Sequence, residues 1–430
     1  MTSHILQILP LSLFFCANLA KQSIPCPFSR EGTMKPLTLE QTWAYALEHH
    51  PALQALDLEI SSLEAHARQA GLLPNPEIHL EIEEFGRQGR LSDLDSAETG
   101  LQIHQRFQLG GKRAKRQRLA SLDARLAGWD LESARLDILA DAHKAFIRAL
   151  ASQERESLRR EIVHLHETAL EIVSRRVAAG KDTSLQNDMA RVALSAASIA
   201  LERTSREKMA NYIHLASSMG LGSVFFSKVV GHFDTVDPIP EITSFLDTLE
   251  QNPNLARWDT EAEHRRAAAD LAKASGQPDL TLAGGLSYLH DGQEIAFKIG
   301  VGLPLPVFDR NQWESLGTHH RLASVEARRM SAQLEARASL EIMHQKLWDG
   351  YTTTYSIQHE VLPIAQRALE IANQGYREGK FGYWMVLEAQ RTLFQAKEDH
   401  LTSLETYHLA HAEIARLLGR NIDTHTHNSP

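Results

Sequence analysis

Two stretches of seventeen residues decide the fold: RVAAGKDTSLQNDMARV at Arg176–Val192 and GYREGKFGYWMVLEAQR at Gly375–Arg391. In each, a helical pattern runs into Gly-Lys and a second helical pattern begins. A glycine just past a helix reaches positive φ without steric cost, and a lysine beside it suits the negative end of the helix dipole. Each stretch therefore reads as the tight turn of a long antiparallel helical hairpin, with Gly180 and Gly379 at the two turns.

Other landmarks repeat in the same order, each shifted by about 200 residues. Thr38–Ala70 resembles Ile242–Ser275, with Pro51 matching Pro253; GLLPNPEIHLEIEEF from Gly71 matches GQPDLTLAGGLSYL from Gly276. IHLASSMGL near Gly220 matches AEIARLLGR near Gly419. Chance rarely produces such an ordered series, so the chain is one unit made twice. The expected copies are residues 37–222 and 241–420, joined by a linker at 223–240 and followed by a tail at 421–430.

Between the helical patterns the hydrophobic period changes from 3.6 to 2. In EIHLEIEEF, Ile78, Leu80 and Ile82 face one way, and Glu77, His79, Glu81 and Glu83 the other. Strands are expected at about 77–86, 98–108, 279–290 and 294–304. Their length fits a tilted membrane-crossing strand, although alternation alone also fits a half-buried soluble sheet. Four strands cannot close a barrel, and open sheet edges cannot exist in hydrocarbon. If these strands meet lipid, several chains must share one barrel.

Lys112 to about Ala178 contains no proline and only Gly128 as an internal glycine. A helix of that length reaches on the order of 100 Å. Its counterpart runs from about Asn311 to Gln374. Sustained apolar repeats of this length point to coiled-coil packing, either as a lone bundle or as staves in a wall.

The 430 residues carry a net charge of −9, which argues against a nucleic-acid binder, and two cysteines, too few for a disulfide framework. The apolar run Ile5–Ala20 is short for a membrane helix and fits a secretory signal in residues 1–20, with a linker at 21–36. Neither Cys16 nor Cys26 follows the small residue that lipidation normally needs.

The motifs LLPNPEIHLEIEEFG from Leu72, QRFQLGGKR at Gln105–Arg113, GLPLPVFDRNQ at Gly302–Gln312 and YREGKFGYWMVLEAQRTL at Tyr376–Leu393 resemble the TolC-type outer-membrane efflux family. They are most similar to its CzcC-like branch, associated with heavy-metal efflux. The resemblance implies a mainly α, internally duplicated fold with membrane β. In that architecture, long antiparallel helices form a trimeric α-barrel, and each chain adds four strands to a twelve-stranded transmembrane β-barrel. It implies a homotrimer in the outer membrane of a Gram-negative bacterium, extending into the periplasm. Gly180, Lys181, Gly379 and Lys380 would form the periplasmic tip where a membrane-fusion adaptor docks. An inner-membrane pump of the resistance-nodulation-division (RND) class would supply the energy, leaving this chain a passive duct without a cofactor.

Family members narrow the periplasmic mouth with acidic side chains six and nine residues beyond the second tip glycine. Those positions are Met385 and Glu388 here, so only the second keeps a carboxylate. A ring of Glu388 would favour cations, although a glutamate on a solvated helix face needs no such role. The resemblance also implies that Tyr376 would help hold the tip closed through hydrogen bonds. If Ile78, Leu80 and Ile82 face lipid, then Glu77, Glu81 and Glu83 line the lumen and make it acidic. Lys112, Arg113, Lys115 and Arg116 follow a strand directly, at what would be headgroup level, or else form a solvated helix start.

Twenty-two histidines invite a search for metal ligands, but the pairs His49-His50, His164/His166, His319-His320, His408/His411 and His425/His427 lack the spacing of a closed site. No phosphate loop, nucleophile elbow or HExxH sequence occurs, so no enzyme is expected. The alternatives are a duct for drugs or organic solutes, and a structural periplasmic coiled-coil protein.

Overall fold

A computed structural model describes residues 35–83, 97–290 and 292–419. The expected signal, most of the linker after it, both cysteines, the far end of the first strand and the tail with His425 and His427 lie outside them.

Helices α1 (Leu39–His49) and α2 (Pro51–Ala70) come first. Thr38 and Gln41 form a capping box on α1, and Pro51 opens α2, where its missing N–H costs nothing. Strands β1 (Glu77–Glu83) and β2 (Glu98–Phe107) follow. Next come α3 (Lys112–Ala178), a single helix of 67 residues, and α4 (Ser184–Ser218). The second half repeats the order with α5 (Ile242–Leu249), α6 (Pro253–Ser275), β3 (Leu280–Leu289), β4 (Glu294–Gly302), α7 (Gln312–Ser356), α8 (Leu362–Arg377) and α9 (Tyr383–Leu418).

One departure from the repeat is a π-helical turn at Ile357–Val361, which separates α7 from α8. Pro363 stands just beyond it and cannot donate to the carbonyl of His359, so the hydrogen-bond ladder widens there. Its counterpart α3, without proline, runs unbroken.

The four strands make one antiparallel sheet in the order β1-β2-β3-β4. Glu77 pairs with His104, Ile103 with Gly284, and Leu286 with Phe297. This register brings Ile78, Leu80, Ile82, Leu101, Ile103, Leu286, Ile295, Phe297 and Ile299 to one face. Phe297 and Ile299 are 85% and 90% exposed, so no helix among the described residues covers them. The opposite face carries Glu77, His79, Glu81, Gln102, His104, Ser287 and Lys298.

The helices share narrow seams. Helix α3 packs on α2, α4, α6 and α9, and α9 also packs on α7 and α8. Alanines 142, 149 and 151 of α3 are fully buried and let the helices approach closely. The largest cluster joins Phe146, Leu150, Leu215, Met219 and Leu404 to Leu37 and to Phe226, Val229 and Phe233 of the linker between the copies. Leu37 bridges to Val229 in a short parallel pairing, tying the chain's start to that linker.

Candidate functional site: hairpin tips and the two faces of the sheet

Both tips close in the same way. The amide of Lys181 donates to the carbonyl of Arg176 at 2.9 Å, and that of Gly180 to Val177 at 2.9 Å. Lys380 donates to Gly375 at 2.8 Å, and Gly379 to Tyr376 at 3.1 Å. This is the Schellman arrangement, with Gly180 at φ 70° and Gly379 at φ 75°, a region costly for any residue with a Cβ.

The two tips are joined by a charged cluster. The hydroxyl of Tyr376 donates to Asp182 Oδ2 at 2.6 Å, and Arg176 Nε donates to the same oxygen at 2.8 Å. The Arg176 guanidinium lies 4.6 Å from the centre of the Tyr376 ring, a cation–π contact. The side chain of Asp182 is only 7% exposed. Burial alone would raise its carboxyl, but the bonds from Arg176 and Tyr376 outweigh that and hold it below the ordinary aspartate range. Burial, then the neighbouring Asp182 carboxylate, raises the Tyr376 phenol, which stays protonated as the donor. Beneath the cluster Val173, Ala190, Ala372, Tyr383 and Val386 fill the seam.

The expected gate residues therefore separate. Tyr376 sits inside the seam, whereas Met385 and Glu388 stand on the exposed side of α9. Lys181 is exposed, and Lys380 pairs with Glu378 at 2.6 Å. Asp182 and Arg176 belong to the site although sequence reasoning singled out neither. The signal was the Asp directly after the tip Gly-Lys and an Arg at the carbonyl that caps it.

At the other end, the basic cluster divides too. Lys112 Nζ binds Asp279 at 2.7 Å and the carbonyl of Gln277 at 2.5 Å, fastening the start of α3 to the β3 approach. Arg116 donates to the carbonyl of Ala70 at 3.1 Å and to Gln108 at 2.9 Å. Arg113 is exposed, and Lys115 is half-buried. On the polar sheet face Glu77, Glu81 and Glu83 are exposed, while Glu98 is bonded to Lys298 and Ser287.

Among the described residues, no three metal-ligating side chains surround one point. The pair His408/His411 is used in the core, with His408 Nε2 bonded to the Phe233 carbonyl at 2.9 Å. Burial pushes His143 down to about 3 and His411 down to about 4, so both stay neutral.

The chain thus joins a sheet with one exposed apolar face to paired helical hairpins whose tips are closed by hydrogen bonds. The chain belongs to the outer membrane efflux protein family, whose sequence profile matches residues 44–221 and 246–420. It is thus an outer-membrane efflux channel component. It is 30% identical to the cobalt-zinc-cadmium resistance protein CzcC of Cupriavidus metallidurans over 393 residues, covering 91% of this chain and 92% of that protein. It is 25% identical to the pyoverdine export outer membrane protein OpmQ of Pseudomonas aeruginosa over 328 residues, 71% of this chain and 66% of that one. Among solved structures, the Vibrio cholerae outer membrane protein VceC shares the fold with a TM-score of 0.74 at 18% identity, covering 89% of this chain and 96% of that chain.

Proposed function

We propose that the chain is the passive exit duct of a tripartite RND-type efflux system and that its cargo is heavy-metal cations. Three copies each contribute four strands to a twelve-stranded barrel, and the long helices continue it as an α-barrel through the periplasm. Each chain is two efflux repeats, residues 37–222 and 241–420. The observation that carries this reading is the sheet itself: among the described residues its oily face is uncovered and its two outer edges are unpaired, which suits lipid and neighbouring copies. The cargo assignment is supported by the relation to the cobalt-zinc-cadmium resistance protein.

The tips at Gly180, Lys181, Gly379 and Lys380 dock a periplasmic adaptor, with the inner-membrane pump behind it. Tyr376 holds the mouth through Asp182. Glu388 stands on the open side of α9, where a threefold ring would attract cations, and Met385 is its uncharged neighbour. Glu77, Glu81 and Glu83 line the lumen. Of the basic cluster, Arg113 and Lys115 meet lipid headgroups, while Lys112 and Arg116 brace the strand-to-helix junction. The relation to the pyoverdine exporter favours an organic solute as the second reading. Deleting the chain and growing cells on Zn, Co, Cd and Ni salts and on drugs tests the cargo. Loss of metal tolerance is expected, whereas unchanged metal tolerance with lost drug tolerance would contradict it.

A further inference from the structure

The polar face of the sheet is acidic along β1 but not along β3 and β4, which bring Ala283, Gly285, Ser287, Ala296 and Gly300 to it. Lys298 stands among these small residues. Among the described residues it is the one Lys or Arg on the half of this face remote from the helices, where β1 ends and β2 begins. Its side chain reaches back across the sheet. The ammonium is bonded to Glu98 Oε1 on β2, two strands away, and the Ser287 hydroxyl on the intervening strand donates to the same oxygen. Ser287 is only 1% exposed. The path is open because Gly285, which pairs with Lys298, has no side chain, and a Cβ at Gly100 would lie 4.0 Å from the ammonium. Glu81 and Glu83 are within electrostatic reach of the same ammonium, yet no Lys or Arg pairs with either among the described residues.

A carboxylate bonded to an ammonium presents a dipole to a passing ion, and a dipole's field falls off faster than that of a lone charge. Glu98 is thereby masked, while Glu81 and Glu83 keep their charge towards the water above them. Lys298 subtracts from their field as well, and a wall of low dielectric focuses that field into the space it encloses. We propose that Lys298 is a selectivity-setting residue at the outer mouth of the β-barrel, masking Glu98 and limiting the cation preference that Glu81 and Glu83 create. Rings of charged side chains set the ion preference of a pore, and conduction requires attraction strong enough for entry and weak enough for exit. A lysine inside an acidic ring supplies that restraint. Its place in a lumen rests on the duct reading, to which it adds the charge that tunes passage.

The test places the full-length oligomer in planar bilayers under a KCl gradient and reads the reversal potential. K298Q is expected to shift it towards the K+ equilibrium value, because Glu98 is unmasked and each chain loses a positive charge from the mouth. E98Q leaves Lys298 without its counterion and should shift it the opposite way. The charge swap E98K/K298E restores the pair and should return the potential to near the wild-type value. Both single shifts should shrink as salt rises from about 0.1 M to about 1 M, since the screening length falls from about 10 Å to about 3 Å. A heat-stable oligomer and unchanged β-sheet signal establish that the variants fold. Equal reversal potentials in conducting wild type, K298Q and E98Q would overturn the role of Lys298 and leave the duct reading standing, as would a swap that fails to restore the wild-type value. Wild-type oligomer that carries no current would overturn both.

Discussion

At the scale of single residues, the tip is held by Asp182 accepting from both Tyr376 and Arg176. Asp182→Asn removes the charge that both donors share and leaves Arg176 without a counterion. Charge-assisted hydrogen bonds contribute about 1.5–3 kcal/mol each, so amides 177–186 should exchange with solvent by roughly tenfold or more faster. Hydrogen exchange read by mass spectrometry checks this, with the middle of α3 as the unchanged reference. Equal tip exchange in both proteins would show that the cluster locks nothing. Tyr376 was legible because it falls in a motif; Asp182 was not, because its importance depends on two chain segments meeting nearly 200 residues apart.

The buried histidines give a second prediction at this scale. His143 and His411 have folded-state values near 3 and 4, pushed down from 6.5 chiefly by burial. The unfolded chain therefore binds more protons than the fold does, and stability falls as pH drops below about 6.5, most steeply down to about 4. Each imidazole contributes at most about 1.4 kcal/mol per pH unit across that window. Asp182 works in the same direction lower down, since its stabilisation is present above the ordinary aspartate value and lost as it protonates. Denaturant midpoints of wild type and His411→Gln at pH 7 and pH 5 check it: the variant should lose less stability on acidification.

At the scale of elements, each strand was readable from alternation, and the register adds what alternation cannot. It shows that four separate apolar rows share one face, from Ile78 on one edge strand to Ile299 on the other. A row that faced a helix would be buried; Phe297 is not. Phe297→Arg should therefore cost about 2–4 kcal/mol of membrane insertion, near the midplane value for an arginine facing lipid. Gln102→Arg, on the other face, should be tolerated. The yield of heat-resistant oligomer in outer-membrane fractions reports both, and equal yields would place Phe297 away from lipid. The helices were legible from their length and missing prolines, but the π-helical turn was not. Periodicity carries a reader past Pro363, although that proline is what opens the ladder beside it.

At the scale of the whole molecule, duplication explains why two halves of low mutual similarity fold alike. Their turns use the same glycine-capped geometry, and their strands complete one sheet through the β2–β3 pairing. What one chain leaves open defines its need for others. Among the described residues, both outer strands of the sheet lack a partner on one side, and its apolar face is bare. The sequence could announce an open edge, since four strands are too few. It could not show which face the helices leave uncovered, because that depends on packing among distant segments. The most direct test is the native mass of the full-length protein extracted from outer membranes in detergent. Three copies per particle, aggregating when detergent is withdrawn, is the predicted result; a single chain that stays soluble without detergent would contradict it.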